Sequence, residues 1–389
     1  MTVWTSSLAA LPIANSGLLP WSPALAPAAA SLAGDLAAAD PEALGAAIAG
    51  EARRRLGEML AGIEAYRSHP YRRTLRDPAV VWREGATRLL DYGARRRDAA
   101  SAAPALFVPS LVNRAYILDL SRRRSLMRYL AGRGVRPLLV DWGAPGARER
   151  GFSLSDYITG RLDAALSAAV AHCGGPVTLV GYCMGGLLAI PLALGRAADV
   201  RALALLAVPW DFHADDDAHG RLLTALERPL RAMLAAADGL PVDMLQALFT
   251  WSDPSMVANK FRAFARLDPA SPEAADFVAL EDWLNDGVAL TAPVAHECLV
   301  GWYGENRPAR GAWRVAGEPV RPQELSMPTL AAIPRRDRIV PPASAAALAD
   351  AMPGCVRLTP PAGHIGMIVG GAARKRLWRP LADWLRSVA

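Results

Sequence analysis

From about Pro41 to Ala100 apolar residues recur at helical spacing. Leu44, Ile48, Leu56, Leu60 and Ile63 stand three or four residues apart, or at sums of these, with charged residues between them. The spacing predicts an N-terminal helical extension over this stretch. Beyond it the period changes to short apolar runs, each followed by turn residues and a helix-like stretch: Ala105 to Val108, Pro137 to Val140, Val177 to Val180, Leu203 to Val208, Thr329 to Ile333 and Val356 to Leu358. Their starts lie 32, 40, 26, 126 and 27 residues apart, and one strand, crossover helix and return strand take roughly 30 residues. The pattern predicts an α/β chain with a mostly parallel, doubly wound sheet. The gap of 126 is too long for one crossover, so an insertion is expected between Pro209 and Ser326, with helical segments at Leu245 to Trp251 and Phe277 to Leu290. We read it as a cap over the carboxyl ends of the strands. The expected organisation is an arm and helical extension over 1–100, the first part of the core over 101–209, the inserted cap over 210–326 and the second part of the core over 327–389.

Composition narrows the classes. Of 389 residues, 52% are hydrophobic and 21% charged, which excludes a disordered chain and leaves material for a large core. No apolar run reaches the ~18 residues of a membrane-spanning helix. Nearly all of the net charge of +6 comes from arginine, since Lys260 and Lys375 are the sole lysines. The clusters Arg53 to Arg55, Arg95 to Arg97 and Arg122 to Arg124 lack interleaved aromatics and any recognised motif, so no nucleic-acid partner is expected; the field suits an anionic small substrate. Cysteines at 173, 183, 298 and 355 form neither a disulfide framework nor a zinc spacing. Residues 1–34 carry no charged side chain and read as a loosely structured arm with Trp4 and Trp21, not a secretory leader. A cytoplasmic location is the expectation.

The sharpest chemical signal is Val177-Thr178-Leu179-Val180-Gly181-Tyr182-Cys183-Met184-Gly185-Gly186, an apolar strand entering Gly-x-Cys-x-Gly and then a helix of small and apolar residues. This is the context a nucleophile elbow requires. The turn is so tight that positions two before and two after the nucleophile must lack bulk, hence Gly181 and Gly185. Cys183 is then presented at a helix N-terminus, whose dipole favours a thiolate. A base and its orienting acid are expected at the ends of later strands, in the order nucleophile, acid, histidine. Asp337 follows Thr329 to Ile333, and His364 follows Val356 to Leu358, so both land on the same sheet edge as Cys183.

An oxyanion hole would take the backbone N–H of Met184 and one from the loop after the first strand, through Ser110 or Leu111, since Pro109 has none. Asp141, Trp142, Tyr182 and His296 are candidate pocket residues, whereas His69, His172, His213 and His219 compete poorly as bases. No pair of His or acidic residues has metal-ligand spacing on one element, so no metal is expected; no nucleotide cofactor is expected either, because the Gly-rich stretch belongs to the elbow.

With these residues assembled, the chain resembles the catalytic region of polyhydroxyalkanoate synthases. The resemblance runs through Phe107 to Arg114, Tyr116 to Leu120, Ser125-Leu126, Asp141-Trp142, Gly181 to Gly186, Glu281 to Gly287, Asp337 to Pro341 and Gly363 to Gly366, spanning roughly residues 104–385. It implies an α/β-hydrolase fold, with the family's nucleophile falling on Cys183, its acid on Asp337 and its base on His364. It further implies an acyltransferase that polymerises (R)-3-hydroxyacyl groups from coenzyme A thioesters, acyl-CoA being a substrate and not a cofactor. The implied partners are the growing polyester chain or granule surface and a second synthase subunit or second copy of the chain. Two other readings fit the same residues: a thioesterase or intracellular polyester depolymerase with water as acceptor, and a non-catalytic granule-associated protein.

Overall fold

The computed structural model describes residues 21, 23, 25–93, 102–215, 218–237, 239–245 and 255–389. Trp4 and most of the expected arm, Arg95 to Arg97, and residues 246–251 of the segment expected at Leu245 to Trp251 lie outside the described residues. The chain divides into two compact units, Met1–Tyr71 with Thr250–Val278, and Arg72–Phe249 with Ala279–Ala389.

In the first unit the expected helical spacing produces the helix Pro41–Ser68. Asp40 caps it, its carboxylate accepting from Ala43 N at 2.7 Å, and Pro41 occupies the first turn, where no N–H is missed. The helix Met256–Phe264 packs against it at Gly62, where a Cβ would stand 2.0 Å from the Phe261 carbonyl oxygen. Phe264 stacks on Phe277 with centroids 4.2 Å apart, and Glu58 pairs with Arg262 at 2.9 Å.

The second unit holds the sheet. Its strands are β1 (Ala79–Glu84), β2 (Thr87–Asp91), β3 (Ala103–Val108), β4 (Val135–Asp141), β5 (Val177–Tyr182) and β6 (Val200–Leu206), then, beyond the two-stranded hairpin β7 (Arg314–Val315) and β8 (Glu318–Pro319), β9 (Thr329–Ala332) and β10 (Val356–Leu358). Eight of these form one sheet in the order β1-β2-β4-β3-β5-β6-β9-β10. All neighbours from β4 to β10 are parallel, and β1 and β2 are antiparallel. Every residue of β5 is buried, as befits a central strand covered on both faces. Phe107, Leu106, Leu138 and Leu139 are likewise sealed, each such side chain contributing about 1.5–3 kcal/mol by leaving water. The fold is the expected α/β-hydrolase arrangement, with β6 and β9 adjacent although 122 residues separate them in the chain.

One expectation is corrected. The helical stretch read to Ala100 stops at Ser68, and the chain resumes as the ribbon β1-β2. Pro70 and Pro78 break the helical run, Val80-Val81-Trp82 favours extended backbone, and Gly85 at φ 57° makes the two-residue turn between Glu84 and Thr87. Beside that turn, Arg161 pairs with Glu149 at 2.9 Å in the interior. Among the described residues no helix is long and apolar enough to cross a membrane.

Candidate active site

β5 ends at Tyr182, and the helix Met184–Gly195 begins one residue later. Cys183 makes the whole turn at φ 54°, ψ −130°, a conformation L residues rarely adopt and one that costs of order 1–3 kcal/mol. Its amide donates to the Leu206 carbonyl at 2.9 Å, tying the elbow to the end of β6. Three glycines make the turn sterically possible. A Cβ at Gly181 would lie 2.3 Å from Gly186 Cα, one at Gly185 would lie 2.1 Å from the Val108 carbonyl oxygen, and one at Gly186 would lie 2.1 Å from Val208 Cγ2. The first two carry the bulk restriction read from the sequence, and Gly186 adds a third. Gly185→Ala is expected to destabilise the protein by about 3 kcal/mol or more, because its nearest obstacles are backbone atoms of β3 and Pro109 that cannot step aside. A chemical-denaturation midpoint close to that of the unchanged protein would refute the packing argument.

The loops after β9 and β10 bring Asp337 and His364 together. Asp337 Oδ1 accepts from the amides of Ile339 and Val340, both at 2.9 Å, and Oδ2 accepts from His364 Nδ1 at 2.7 Å. Both residues are buried, at 5% and 7% exposure. The two loops are also laced to each other: Arg335 N donates to the Pro360 carbonyl, Arg336 N to that of Ala362, and the Arg336 guanidinium to that of Pro361 at 2.6 Å. With Nδ1 committed to Asp337, Nε2 is the ring nitrogen left to serve Cys183, whose negative charge the ring feels.

Burial alone works against an imidazolium at His364. The negative charge at Cys183 and the hydrogen bonds to Asp337 and Cys183 outweigh it, and its pKa is pushed up to about 10. Because that lies above the ordinary value of about 6.5, the protonated ring stabilises the fold fully below pH 6.5 and loses this contribution as pH rises towards 10. Removing the thiol reverses the balance. In Cys183→Ala the His364 ring is expected to titrate at lower pH than in the unchanged protein, as read from its ring ¹⁵N shifts; an unmoved titration would mean that the thiol does not charge-couple to the ring.

Tyr182, expected in the pocket, stacks on the His364 ring with centroids 5.3 Å apart and planes 30° from parallel. Trp142 is buried; its indole N–H donates to the Pro109 carbonyl at 3.0 Å, holding the loop after β3. Asp141 forms an ion pair with Arg88, its register partner on β2. His296 closes the helix Ala292–His296, where it meets Arg231 at 3.4 Å and Glu227 at 3.7 Å, so its contacts are with that pair. Met184 opens the elbow helix, a position whose N–H has no partner within the helix. In the loop after β3 the Ser110 hydroxyl accepts from Val112 N at 3.1 Å, and Leu111 is buried. The Glu281 to Gly287 stretch explains itself here: the Trp283 indole donates to the Arg114 carbonyl at 2.8 Å, Asp286 pairs with Arg114 at 3.2 Å, and Gly287 bridges to Asn113. These contacts clamp the loop that carries Ser110 and Leu111.

All four cysteines are free thiols. Burial raises the pKa of Cys173, Cys355 and most of all Cys298. At neutral pH one equivalent of iodoacetamide is therefore expected to label Cys183 first, as read by peptide mass mapping. First labelling of any of the other three would contradict the assignment of reactivity. A residue not anticipated from the sequence is Tyr303, whose phenol feels the charge of Cys183.

Residues 106–371 match the model of the alpha/beta hydrolase fold, and residues 74–130 match that of the N-terminus of poly-beta-hydroxybutyrate polymerase (PhaC). The chain is 30% identical over 317 residues to the poly(3-hydroxyalkanoate) polymerase subunit PhaC of Haloferax mediterranei, covering 78% of this chain and 63% of that protein. It is 28% identical to the subunit of the same description from Allochromatium vinosum, covering 74% and 81%. Among solved structures it is similar to BpoC of Mycobacterium tuberculosis, described provisionally as a non-heme bromoperoxidase, at TM-score 0.50 and 15% identity over 82% of this chain and 100% of that one, a likeness of fold. The chain thus spans about two thirds of the length of the first of these relatives and most of the second. The matched model over most of the chain, agreeing with the eight-stranded sheet, shows that the chain belongs to the alpha/beta hydrolase family, and within it the chain is similar to poly(3-hydroxyalkanoate) polymerase subunits.

Proposed function

We propose that this protein is an acyltransferase that polymerises (R)-3-hydroxyacyl groups from their CoA thioesters into polyhydroxyalkanoate, with Cys183 as nucleophile, His364 as acid and base, and Asp337 as the group that orients it. The observation that carries the reading is the strained Cys183 at a helix N-terminus, charge-coupled to a histidine whose Nδ1 is fixed on a buried carboxylate. Relatives named poly(3-hydroxyalkanoate) polymerase support the choice of substrate and product.

In the first half-reaction the Cys183 thiolate adds to the thioester carbonyl. The resulting oxyanion is received by the N–H of Met184 and that of Ser110 or Leu111. Collapse breaks the bond to the CoA sulfur, which leaves with the proton of His364. In the second, the hydroxyl of a growing chain or of another hydroxyacyl group attacks the acyl-cysteine. His364 takes the hydroxyl proton, an ester bond forms, and the Cys183 thiolate departs. A thiol suits this task because exchange of one thioester for another keeps the acyl group activated for the alcohol. A hydroxyl nucleophile would hold an ester of the same energy as the product linkage.

The test is intact-mass analysis of acid-quenched protein during turnover of (R)-3-hydroxybutyryl-CoA. The reading requires an added hydroxyacyl mass that maps to the Cys183 peptide. An unmodified Cys183 peptide under turnover, or an acyl group on a different residue, would overturn it.

A further inference from the structure

Tyr182 is the last residue of β5 and the neighbour of Cys183 in the chain. It pairs along the sheet with Leu206, whose carbonyl accepts the Cys183 amide, so the strand end that presents the nucleophile also fixes the tyrosine backbone. Its side chain is buried. Two contacts tie it to His364. The phenol ring lies on the imidazole with centroids 5.3 Å apart and planes 30° from parallel, and the hydroxyl donates to the His364 carbonyl at 3.5 Å.

The groups that face the imidazole come from three elements. Asp337, in the loop after β9, accepts from Nδ1 at 2.7 Å, and Cys183, in the elbow, sets its negative charge against the ring. Arg336, beside Asp337, directs its guanidinium to the Pro361 carbonyl. Tyr182, at the end of β5, covers a face of the ring. A single hydrogen bond at Nδ1 leaves an imidazole free to rock about that bond, and a ring stacked on its face removes this freedom. The stack therefore sets the direction in which Nε2 points. It also favours one charge state. Burial, and then the charges at Cys183 and Asp337, raise the pKa of the phenol well above its ordinary value, so Tyr182 stays neutral and its π-face carries partial negative charge. A cation within about 6 Å of such a ring centroid is attracted to it, more strongly where water is excluded.

We propose that Tyr182 is a positioning residue that acts through His364: its ring holds the imidazole plane so that Nε2 serves the sulfur and the attacking hydroxyl, and it stabilises the imidazolium formed during transfer. The inference rests on the reading of His364 as acid and base. In the second half-reaction the hydroxyl proton moves to Nε2 as the ester bond forms and the bond to the Cys183 sulfur breaks. The positive charge so created lies on the ring that Tyr182 covers.

The experiment is steady-state CoA release by the full-length protein from (R)-3-hydroxybutyryl-CoA across a pH series, for the unchanged protein, Tyr182→Phe and Tyr182→Leu, each beside a denaturation curve. Phenylalanine keeps the ring and loses the O–H, whereas leucine removes the ring. In Tyr182→Leu kcat should fall about 10- to 100-fold with KM within about twofold. The alkaline limb of kcat/KM, which reports loss of the imidazolium proton, should move to lower pH by about 0.5 to 1.5. Tyr182→Phe should leave that limb in place and keep kcat within about threefold. A fourth protein, with pentafluorophenylalanine in place of Tyr182, keeps the bulk of the ring and withdraws the charge from its face. Its alkaline limb should move as in Tyr182→Leu, and this arm decides the matter if the leucine variant does not fold. A limb unmoved in the fluorinated protein, or a loss in Tyr182→Phe as large as in Tyr182→Leu, would reduce Tyr182 to packing and overturn the assignment. No CoA release by the unchanged protein would instead remove the acid and base reading of His364, and the assignment with it.

Discussion

Replacing Cys183 by alanine should abolish CoA release from (R)-3-hydroxybutyryl-CoA, by about 10⁴-fold or more, while the protein stays folded. The size follows from the proposed chemistry. In a covalent route the nucleophile is the path itself, and neither the oxyanion donors nor His364 can pass the acyl group on without it. The fold should tolerate the change because alanine keeps a Cβ at φ 54° and removes only the sulfur, and because Gly181, Gly185 and Gly186, which the turn requires, are untouched. Steady-state CoA release with a direct thiol readout, beside a denaturation curve, separates loss of chemistry from loss of structure. Residual release within tenfold of the unchanged protein would exclude Cys183 as nucleophile.

The second large effect is expected from Asp337→Asn, a loss of about 10³- to 10⁴-fold in kcat with little change in KM. Asp337 uses one oxygen for the amides of Ile339 and Val340 and the other for the His364 Nδ1–H. An asparagine keeps its single oxygen on the two amides, which need an acceptor, and so turns its NH₂ towards His364. The ring must then accept at Nδ1 and carry its proton on the nitrogen that faces Cys183. That tautomer can take a proton neither from the thiol nor from the attacking hydroxyl. The shape is preserved, so stability should change far less than rate. Asp337→Asn with more than a tenth of the original kcat would mean that the carboxylate serves the fold and not the reaction.

Much of this was legible in the sequence because the relevant constraints are local. Six runs of strand length map onto β3, β4, β5, β6, β9 and β10; a buried parallel strand must be apolar, which marks the first five, whereas β10 is the exposed edge strand with Arg357 at its centre and was placed by the length of its crossover. The elbow was legible because its steric demand falls on Gly181 and Gly185, two residues from the cysteine. The ribbon β1-β2 was not, because Glu84 and Arg88 stand four residues apart, a spacing that also suits a helix, and pairing to β4 decides the matter. Nor was the part played by Trp283 and Asp286, whose partner Arg114 lies some 170 residues earlier. His296 and Tyr303 show the same limit within one helical stretch. Only the fold determines that His296 meets Arg231 and Glu227 and that the tyrosine seven residues on packs its ring against Phe212.

The most direct test of the central claim is the size of the acyl product made by the purified protein from (R)-3-hydroxybutyryl-CoA, measured together with released CoA. Acyl transfer to a hydroxyl predicts CoA release matched by ester linkages in high-mass polyester. CoA release matched by free 3-hydroxybutyrate, with no polymer, would contradict it and make water the acceptor.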